Sequence, residues 1–240
     1  MILDGIKKFL SDNLNGKNAV IGLSGGIDSS FVVTLLAKSI EKDRIFPIYM
    51  PDSNSPDEDL IDVEKICNFN NISFKTISIE SIVKEFSRTL NMDDLKAIGN
   101  LKSRIRMSIL YSFANRNNGL VIGTTNRSEY LTGYFTKYGD GGCDIEPIIG
   151  MYKTEIWEAS RALGLPQSII VKKPSARLWA KQTDEDDLGI SYADLDRILI
   201  EFVKIGKFPE SREGKIVSNL YFSSMHKRML PYSPGEEPTS

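Results

Sequence analysis

The sequence predicts an α/β fold: an open, mostly parallel, doubly wound sheet with flanking helices. Three observations carry that prediction. Short β-rich runs alternate with helical patterns in the order β-α-β-α-β-α-β, which calls for crossover-linked parallel strands. The first run, NAVIGLS, passes from an apolar, buried-strand pattern directly into a glycine turn and a helical pattern. The 240 residues are 41% hydrophobic and 26% charged, the balance of a soluble globular protein with a sizeable core.

Each element has its own local reason. MILDGIKKFLSDNL reads as a short amphipathic helix; it lacks the basic start, unbroken apolar centre and small-residue cleavage site of a signal peptide. Residues 18–24 form the first strand, and a helix is expected over 29–40. RIFPIYMP supplies the second strand through Ile48, Tyr49 and Met50, with Pro47 at the strand start or facing a gap because it has no N–H to donate. SPDEDLIDVEKIC opens a helix with acids in its first turn, where the helix dipole favours them. SFKTISI is the third strand. Two helical stretches follow, the second being LKSRIRMSILYSFANR, and GLVIGTT is the fourth strand. MYKTEIWEASRALGL reads as a helix that Gly164 stops. From Lys172 onward helices dominate, and residues 232–240 read as a loose tail. No repeat or low-complexity linker divides the chain, so a single domain over 1–240 is expected. In such a sheet ligands bind beyond the carboxyl ends of the strands, where Ser24, Met50 and Thr124 fall.

Composition narrows the partners. A net charge of −2 offers no bulk attraction to nucleic acid or anionic lipid. No run approaches the roughly 20 apolar residues of a membrane-spanning helix. Cys67 and Cys143 are far apart and in no C-x-x-C spacing, which argues against a disulfide framework or zinc site. The expectation is a soluble, cytoplasmic protein with no nucleic-acid or membrane partner.

The turn GLSGGIDSS carries the first chemistry. It is neither the lysine-bearing G-x-x-x-x-G-K-[ST] loop nor G-x-G-x-x-G. Gly25 and Gly26 allow close backbone approach and positive φ. The N–H groups entering the helix then form an anion nest, to which Ser24, Ser29 and Ser30 add hydroxyls. Asp28 would repel a phosphate unless a divalent cation lay between them, an arrangement suited to a metal-bound pyrophosphate. The competing reading has Asp28 and Ser29 merely capping a helix.

Residues 123–153, GTTNRSEYLTGYFTKYGDGGCDIEPIIGMYK, supply a second set. Thr124 and Thr125 end a strand with hydroxyls toward the crevice. Glu129 is near enough to give the metal a second carboxylate, and hard oxygen ligands suit Mg²⁺. The aromatics of YFTKYGDGG can stack on a ring or base, and Asp140 or Asp144 can accept from sugar hydroxyls. The competing reading is a surface loop with scattered polar residues.

SGGIDSS resembles the pyrophosphate loop of the N-type ATP pyrophosphatases, which cleave ATP between the α- and β-phosphates. That likeness implies an adenine nucleotide alpha hydrolase-like sheet. The long spacing GT-T-N-x-S-E-x-x-x-G-Y-x-T-K-Y-G-D-G, the later KKPSARLWAKQTDEDDLGISYADLD and the terminal MHKR are together similar to the NAD synthetase family over nearly the whole chain. Because no nitrilase-like domain accompanies them, the resemblance is to its ammonia-dependent form. It implies a ligase that adenylates the nicotinate carboxylate of deamido-NAD with ATP. Amidation with ammonia then gives NAD, AMP and pyrophosphate.

By resemblance, Gly22, Leu23, Ser24, Gly25, Gly26, Ile27, Asp28 and Ser29 hold ATP, joined by Thr124, Lys153 and Ser175. Asp28 and Glu129 hold Mg²⁺. Arg104, Lys137, Asp144, His226 and Lys227 contact deamido-NAD. Asp28, Lys153 and Asp144 are the catalytic set, Asp144 as an acceptor for the ammonium proton. A homodimer with substrate near its interface is implied as well. Ser175 keeps a hydroxyl where relatives carry threonine; Arg177 is bulkier than the family pattern, and no role is assigned to it.

Local readings compete with several of these. Arg104 lies among Leu101, Ile105 and Ile109, a setting that also suits a solvated-face charge. Lys153 at a helix start opposes the dipole, a cost that favours a functional role. His226, the one histidine, suits substrate contact better than base catalysis. Cys143 has no activating motif and reads as incidental. Trp157 and Trp179 read as packing residues, Trp179 on a loop that covers the site. KQTDEDDLG reads as a mobile lid that excludes water from the adenylate. The alternatives are another ATP pyrophosphatase, such as a tRNA-modifying adenylating enzyme, and a non-catalytic nucleotide-binding module. The first needs a basic RNA face or catalytic cysteines, and the second has no use for Asp28, Glu129 and Lys153 together.

Overall fold

The computed structural model describes residues 2–179 and 182–231. The tail assigned to 232–240 therefore lies outside the described residues. Four parallel strands, β1 (Asn18–Leu23), β2 (Ile45–Tyr49), β3 (Lys75–Thr76) and β4 (Gly119–Ile122), form one sheet in the order β3-β2-β1-β4. The chain builds outward from β1 through β2 to β3, then returns to add β4 on the other side of β1. The order reverses between β1 and β4, the position at which doubly wound sheets open a ligand crevice.

Period-2 alternation explains the apolar first strand. Ala19, Ile21 and Leu23 join the core on one face with Phe31, Val33 and Leu36, while Val20 joins the other with Ile48, Ile105 and Val121. The first face is covered by α1 (Ile2–Leu14), α2 (Ile27–Ala37), α3 (Asp57–Asn70), α7 (Lys153–Ala162) and α8 (Gln167–Ile170). The second is covered by α4 (Glu80–Thr89) and α5 (Leu95–Arg116). Helix α2 is apolar on every side because it is enclosed by β1, α1, α3 and α7. A third cluster joins α6 (Arg127–Thr132) to α10 (Tyr192–Ile205) and α11 (Arg212–Ser223). Short helices α9 (Asp184–Leu188) and α12 (Met225–Arg228) flank it.

Several boundaries differ from expectation. The fourth strand ends at Ile122, so Thr124 and Thr125 fall in the loop just beyond it, not at its last positions. The third strand shrinks to Lys75–Thr76, both exposed, because an edge strand with so little to bury pairs only with Ile48 and Tyr49. That leaves the β3 side of β2 open at Pro47, which sits within the strand opposite Ile21. Helix α2 starts at Ile27, since extended Gly26 is its N-cap, and it ends at Ala37. Gly164 does stop α7, in the left-handed conformation at φ 74°. No described helix is long and apolar enough to cross a membrane.

Phe31 is fully buried where α2 meets the sheet core. Phe31→Ala is expected to lower unfolding stability by about 3–5 kcal/mol, read from the midpoint of a urea titration.

Candidate active site

The glycine turn leaves β1 and enters α2. Gly25 has φ 72°, and a Cβ there would lie 2.7 Å from the Asp59 carbonyl oxygen, so only glycine fits. Hydroxyls brace the turn: the Gly26 amide donates to Ser24 Oγ (3.2 Å), and Ser30 Oγ donates to the Gly26 carbonyl (2.8 Å). No side chain caps the α2 N-terminus. Asp28 and Ser29 are therefore not its caps, and the first-turn amides face the crevice as an anion-binding end. From behind, Lys172 Nζ donates to the Gly25 carbonyl (3.2 Å), Asp59 (2.8 Å) and Asp62 (2.8 Å). Arg177, itself at φ 53°, pairs with Asp59 at 3.4 Å. Its role in the fold is thus to fix the 172–178 segment to α3 beside the turn.

The side chain of Asp28 serves a different group. One carboxylate oxygen accepts from Asn126 Nδ2 at 3.0 Å, the other from Lys153 Nζ at 2.5 Å. Asn126 is the N-cap of α6 in a reciprocal capping box: the Glu129 amide donates to Asn126 Oδ1 (2.9 Å), and Glu129 Oε2 accepts from the Asn126 amide (3.1 Å). That fixes Glu129 with its other oxygen 3.7 Å from Lys153 Nζ. Asn126 thereby positions both carboxylates about one ammonium.

Lys153 is buried at the first position of α7. Its amide donates to Ser128 Oγ (3.0 Å), Ser128 Oγ donates to Asp196, and the Thr154 amide donates to the second Asp196 oxygen (2.9 Å). Asp196 from α10 thus receives the start of α7. The Lys153 ammonium lies 5.2 Å from the ring centre of Tyr192, whose hydroxyl donates to Asp184 Oδ2 at 3.1 Å. Burial works against this charged lysine, but Asp28, Glu129 and Asp184 outweigh burial and raise its pKa. Burial, then the neighbouring Asp28, hold Glu129 well above the usual carboxylate range, with Lys153 opposing. Three carboxylates share one ammonium, so the cluster favours a further cation. Asp28 and Glu129 offer the hard oxygen donors that Mg²⁺ requires, and the residues fit that ion.

These groups face one cavity of about 960 Å³. Gly22, Leu23, Ser24, Gly26, Ile27, Asp28 and Ser29 line it, as do Thr124, Glu129, Lys153, Ser175 and Lys227. Met50 and Trp179 are on its wall too, whereas Trp157 packs edge-on against Tyr192 away from it. The segment read as a lid is fastened down over the cavity: Gln182 Nε2 and Tyr134 Oη both donate to Asp187 at 2.7 Å, and the Leu178 amide donates to Gln182 Oε1 at 2.8 Å.

Other expected site residues do not line this cavity. Arg104 reaches the Lys137 carbonyl (3.4 Å), while Lys137 Nζ donates to the His226 and Met229 carbonyls (2.5 and 3.0 Å). The three form a chain on an outer rim, with Arg104 and His226 exposed. Lys227 links rim and cavity by donating to the Gly133 and Phe135 carbonyls (2.7 and 2.8 Å). Asp144 stands apart on the β4 edge, accepting from the Val121 amide (2.8 Å) and Tyr111 Oη (3.2 Å). Asp140, by contrast, is on the cavity wall; it accepts from Ser103 Oγ and from the Thr136 amide (3.0 Å), holding the glycine-rich loop against α5. Asn126, Lys172, Asp184, Tyr192 and Asp196 are site residues that sequence reasoning missed. The N-x-x-E spacing of Asn126 and Glu129 was a readable sign; the others carry none.

A sequence model described as NAD synthase matches residues 2–231. The chain is 51% identical over 231 residues to the NH(3)-dependent NAD(+) synthetase of Thermoplasma acidophilum, covering 96% of each. It is 42% identical over 243 residues to the protein of the same description from Pyrococcus furiosus, covering 97% of this chain and 93% of that one. Among solved structures, an NMN synthetase from Francisella tularensis superposes with a TM-score of 0.90 at 35% identity, over 98% of both chains. An NH3-dependent NAD synthetase from Campylobacter jejuni does so at 0.81 and 30%, over 97% of both.

Lys153→Met would leave buried carboxylates without their cation and is expected to cost roughly 3–5 kcal/mol of stability. The lysine's own raised pKa lies far above neutrality, so its contribution is constant there. The pH dependence comes from the orphaned acids. Urea titrations should show the largest loss near about pH 8 and a smaller one near about pH 5, where those acids can take up protons.

Proposed function

The chain belongs to the NAD synthase family, and from that premise we propose how its site makes an amide. It is an ammonia-dependent NAD synthetase that joins ammonia to the nicotinate carboxylate of deamido-NAD at the expense of ATP. A carboxylate is a poor acyl donor because its oxygen leaves badly. Its attack on the α-phosphorus of ATP forms an acyl-adenylate and releases pyrophosphate. Ammonia then attacks the acyl carbon, the C–O bond to AMP breaks, and NAD is formed.

The observation that carries this reading is the Asp28–Lys153–Glu129 group set against the open N-terminus of α2 in one cavity. The first-turn amides and the hydroxyls of Ser24 and Ser29 hold the departing pyrophosphate. Lys153 moves its ammonium charge toward the phosphates as they gain negative charge. Asp28 and Glu129 would hold Mg²⁺, which would supply Lewis-acid neutralisation of the phosphate charge. Thr124 and Ser175 contact the nucleotide from the loop that follows β4 and from the segment fixed by Lys172. No side-chain nucleophile is needed, because ATP itself supplies the leaving group.

Arg104, Lys137, Asp144 and His226 lie outside the cavity that one chain encloses, as befits groups that meet the far half of a dinucleotide. A second copy of the chain completes that half-site, and the working unit is a homodimer, which sedimentation can test. The enzyme acts in the cytoplasm, consistent with its free Cys67 and Cys143 thiols. The TM-score of 0.90 to an NMN synthetase favours one variant of this reading, in which the acid acceptor is the mononucleotide.

The test is an assay with ATP, Mg²⁺, ammonium and either deamido-NAD or nicotinate mononucleotide. Expected are NAD from the dinucleotide, with AMP and pyrophosphate in equal amounts. ADP formation, or ATP cleavage indifferent to both acids, overturns the reading; preference for the mononucleotide selects the variant. Asp28→Ala should reduce turnover by at least about 10²–10³-fold with unchanged circular dichroism. Full activity of that variant would remove Asp28 from the metal site.

A further inference from the structure

Arg177 is fixed beside the glycine turn by its backbone, while its charged end is barely engaged. On one side of it, Lys172 bonds the Gly25 carbonyl, and the Pro174 carbonyl accepts from the Asp184 amide at 3.0 Å. On the other, the Leu178 amide donates to Gln182 Oε1 at 2.8 Å. Leu178 also packs so closely on α5 that a Cβ at Gly99 would fall 2.8 Å from its own Cβ. The Arg177 amide donates to Ser175 Oγ at 3.2 Å. The φ of Arg177 is 53°, a left-handed conformation that glycine adopts freely and arginine adopts only at a cost. An arginine in that conformation calls for a gain made by its side chain.

The ion pair with Asp59 does not account for that gain. The Arg177 side chain is half-buried and lines the cavity, with five N–H donors in a planar fork. Among the described residues its guanidinium donates no hydrogen bond and pairs only with Asp59, at 3.4 Å. The oxygen it approaches, Asp59 Oδ1, already accepts from Lys172 at 2.8 Å. Asp62 has Lys172 at 2.8 Å and Lys65 at 3.4 Å. Both acids therefore keep a cation whether or not the guanidinium stays. Its contact with Asp59 is replaceable, and an anion in the cavity is the partner that would replace it.

The same bonds say where that anion lies. Asp59 Oδ1, Lys172 Nζ and the Gly25 carbonyl form a continuous run from Arg177 to the glycine turn. At that turn the first amides of α2 face the crevice, where the proposed reaction leaves its pyrophosphate. Resting on the reading of the chain as an ATP-dependent synthetase, we propose that Arg177 grips the β- and γ-phosphates of ATP, exchanging its long contact with Asp59 for a two-pronged bond to phosphate oxygens. A carboxylate oxygen of the acid substrate bonds the α-phosphorus. The bond from that phosphorus to the α–β bridging oxygen breaks, and its electron pair stays on the departing pyrophosphate. Arg177 meets that added charge from the 172–178 segment, while Lys153 meets it from α7. A planar guanidinium suits the task because it holds two phosphate oxygens at once, which a lysine in its place would not do.

Arg177→Gly isolates this role, because glycine accepts the backbone conformation and only the fork is lost. Calorimetric titration with magnesium pyrophosphate should show an affinity about 10–100-fold weaker than that of the unchanged protein, the loss expected for charge-assisted hydrogen bonds. Turnover with ATP, ammonium and deamido-NAD should fall by a similar factor, with KM for deamido-NAD within about twofold. Arg177→Lys keeps the charge without the fork and should lie between the two proteins in pyrophosphate affinity. Pyrophosphate affinity of Arg177→Gly within about twofold of the unchanged protein overturns the proposal. An equal rise in KM for deamido-NAD overturns it too, since that would mark Arg177 as no more than a tie between its segment and α3. If the unchanged protein binds magnesium pyrophosphate yet forms no AMP from ATP with deamido-NAD, the synthetase reading fails, and the titration tells that failure apart from a failure of Arg177.

Discussion

The site depends on one buried ammonium. Lys153 begins a helix, where the dipole opposes a positive charge, and it is removed from water. Asp28 from α2, Glu129 from α6 and Asp184 from α9 outweigh both costs. Since each acid comes from a different helix, the same attraction sets where those helices start relative to one another. Asn126 extends the constraint by bonding Asp28 while capping the helix that carries Glu129. Asp196 does so again by receiving the first amides of α7 through Ser128 and directly. The result is excess negative charge in a preorganised place, which is what a divalent cation and a polyphosphate together require.

That cluster would be useless without the topology beneath it. The reversal of strand order at β1 places the glycine turn and the end of β4 side by side. Parallel strands with helices on both faces send every βα turn to the same edge. The turn approaches α3 so closely that only a glycine fits at 25, and Lys172 bonds both partners of that contact. The phosphate turn is thus held from the front by the core of the sheet and from behind by an ion-paired segment that also forms the cavity wall.

The parts of this arrangement that were legible in the sequence are those fixed by local chemistry. A buried strand followed by SGGIDSS requires a particular turn, and Asp28, Glu129 and Lys153 were singled out in the sequence before the fold brought them together. The third strand was over-read because SFKTISI has strand-forming residues, while its true extent depends on an edge position that propensity does not encode. Asp184, Tyr192 and Asp196 lie far along the chain from the acids and the lysine they support, and only tertiary packing brings them together. The rim residues show the converse. Arg104, Lys137 and His226 were legible as a motif, yet the motif said nothing of their lying outside the cavity of a single chain. Cys143 read as incidental for lack of an activating base; packing makes it a neighbour of Glu146, an acid with no signal in the sequence.

The acids around Lys153 are balanced by one ammonium alone, and that imbalance is what fits them to a polyphosphate site. Burial, then the neighbouring Asp28, lift Glu129 well above the usual carboxylate range, and burial lifts Asp184 against the attraction of Lys153. A carboxyl group so raised takes up a proton readily when only one cation serves three acids. A divalent cation competes for the same oxygens and neutralises the same charge, so binding it releases that proton. The charge that makes the cluster costly with lysine alone is therefore the charge that draws a cation and its phosphates to the open end of α2. Lys153, where burial is outweighed by the three acids that raise its pKa, stays charged throughout and keeps the acids in place while that exchange occurs.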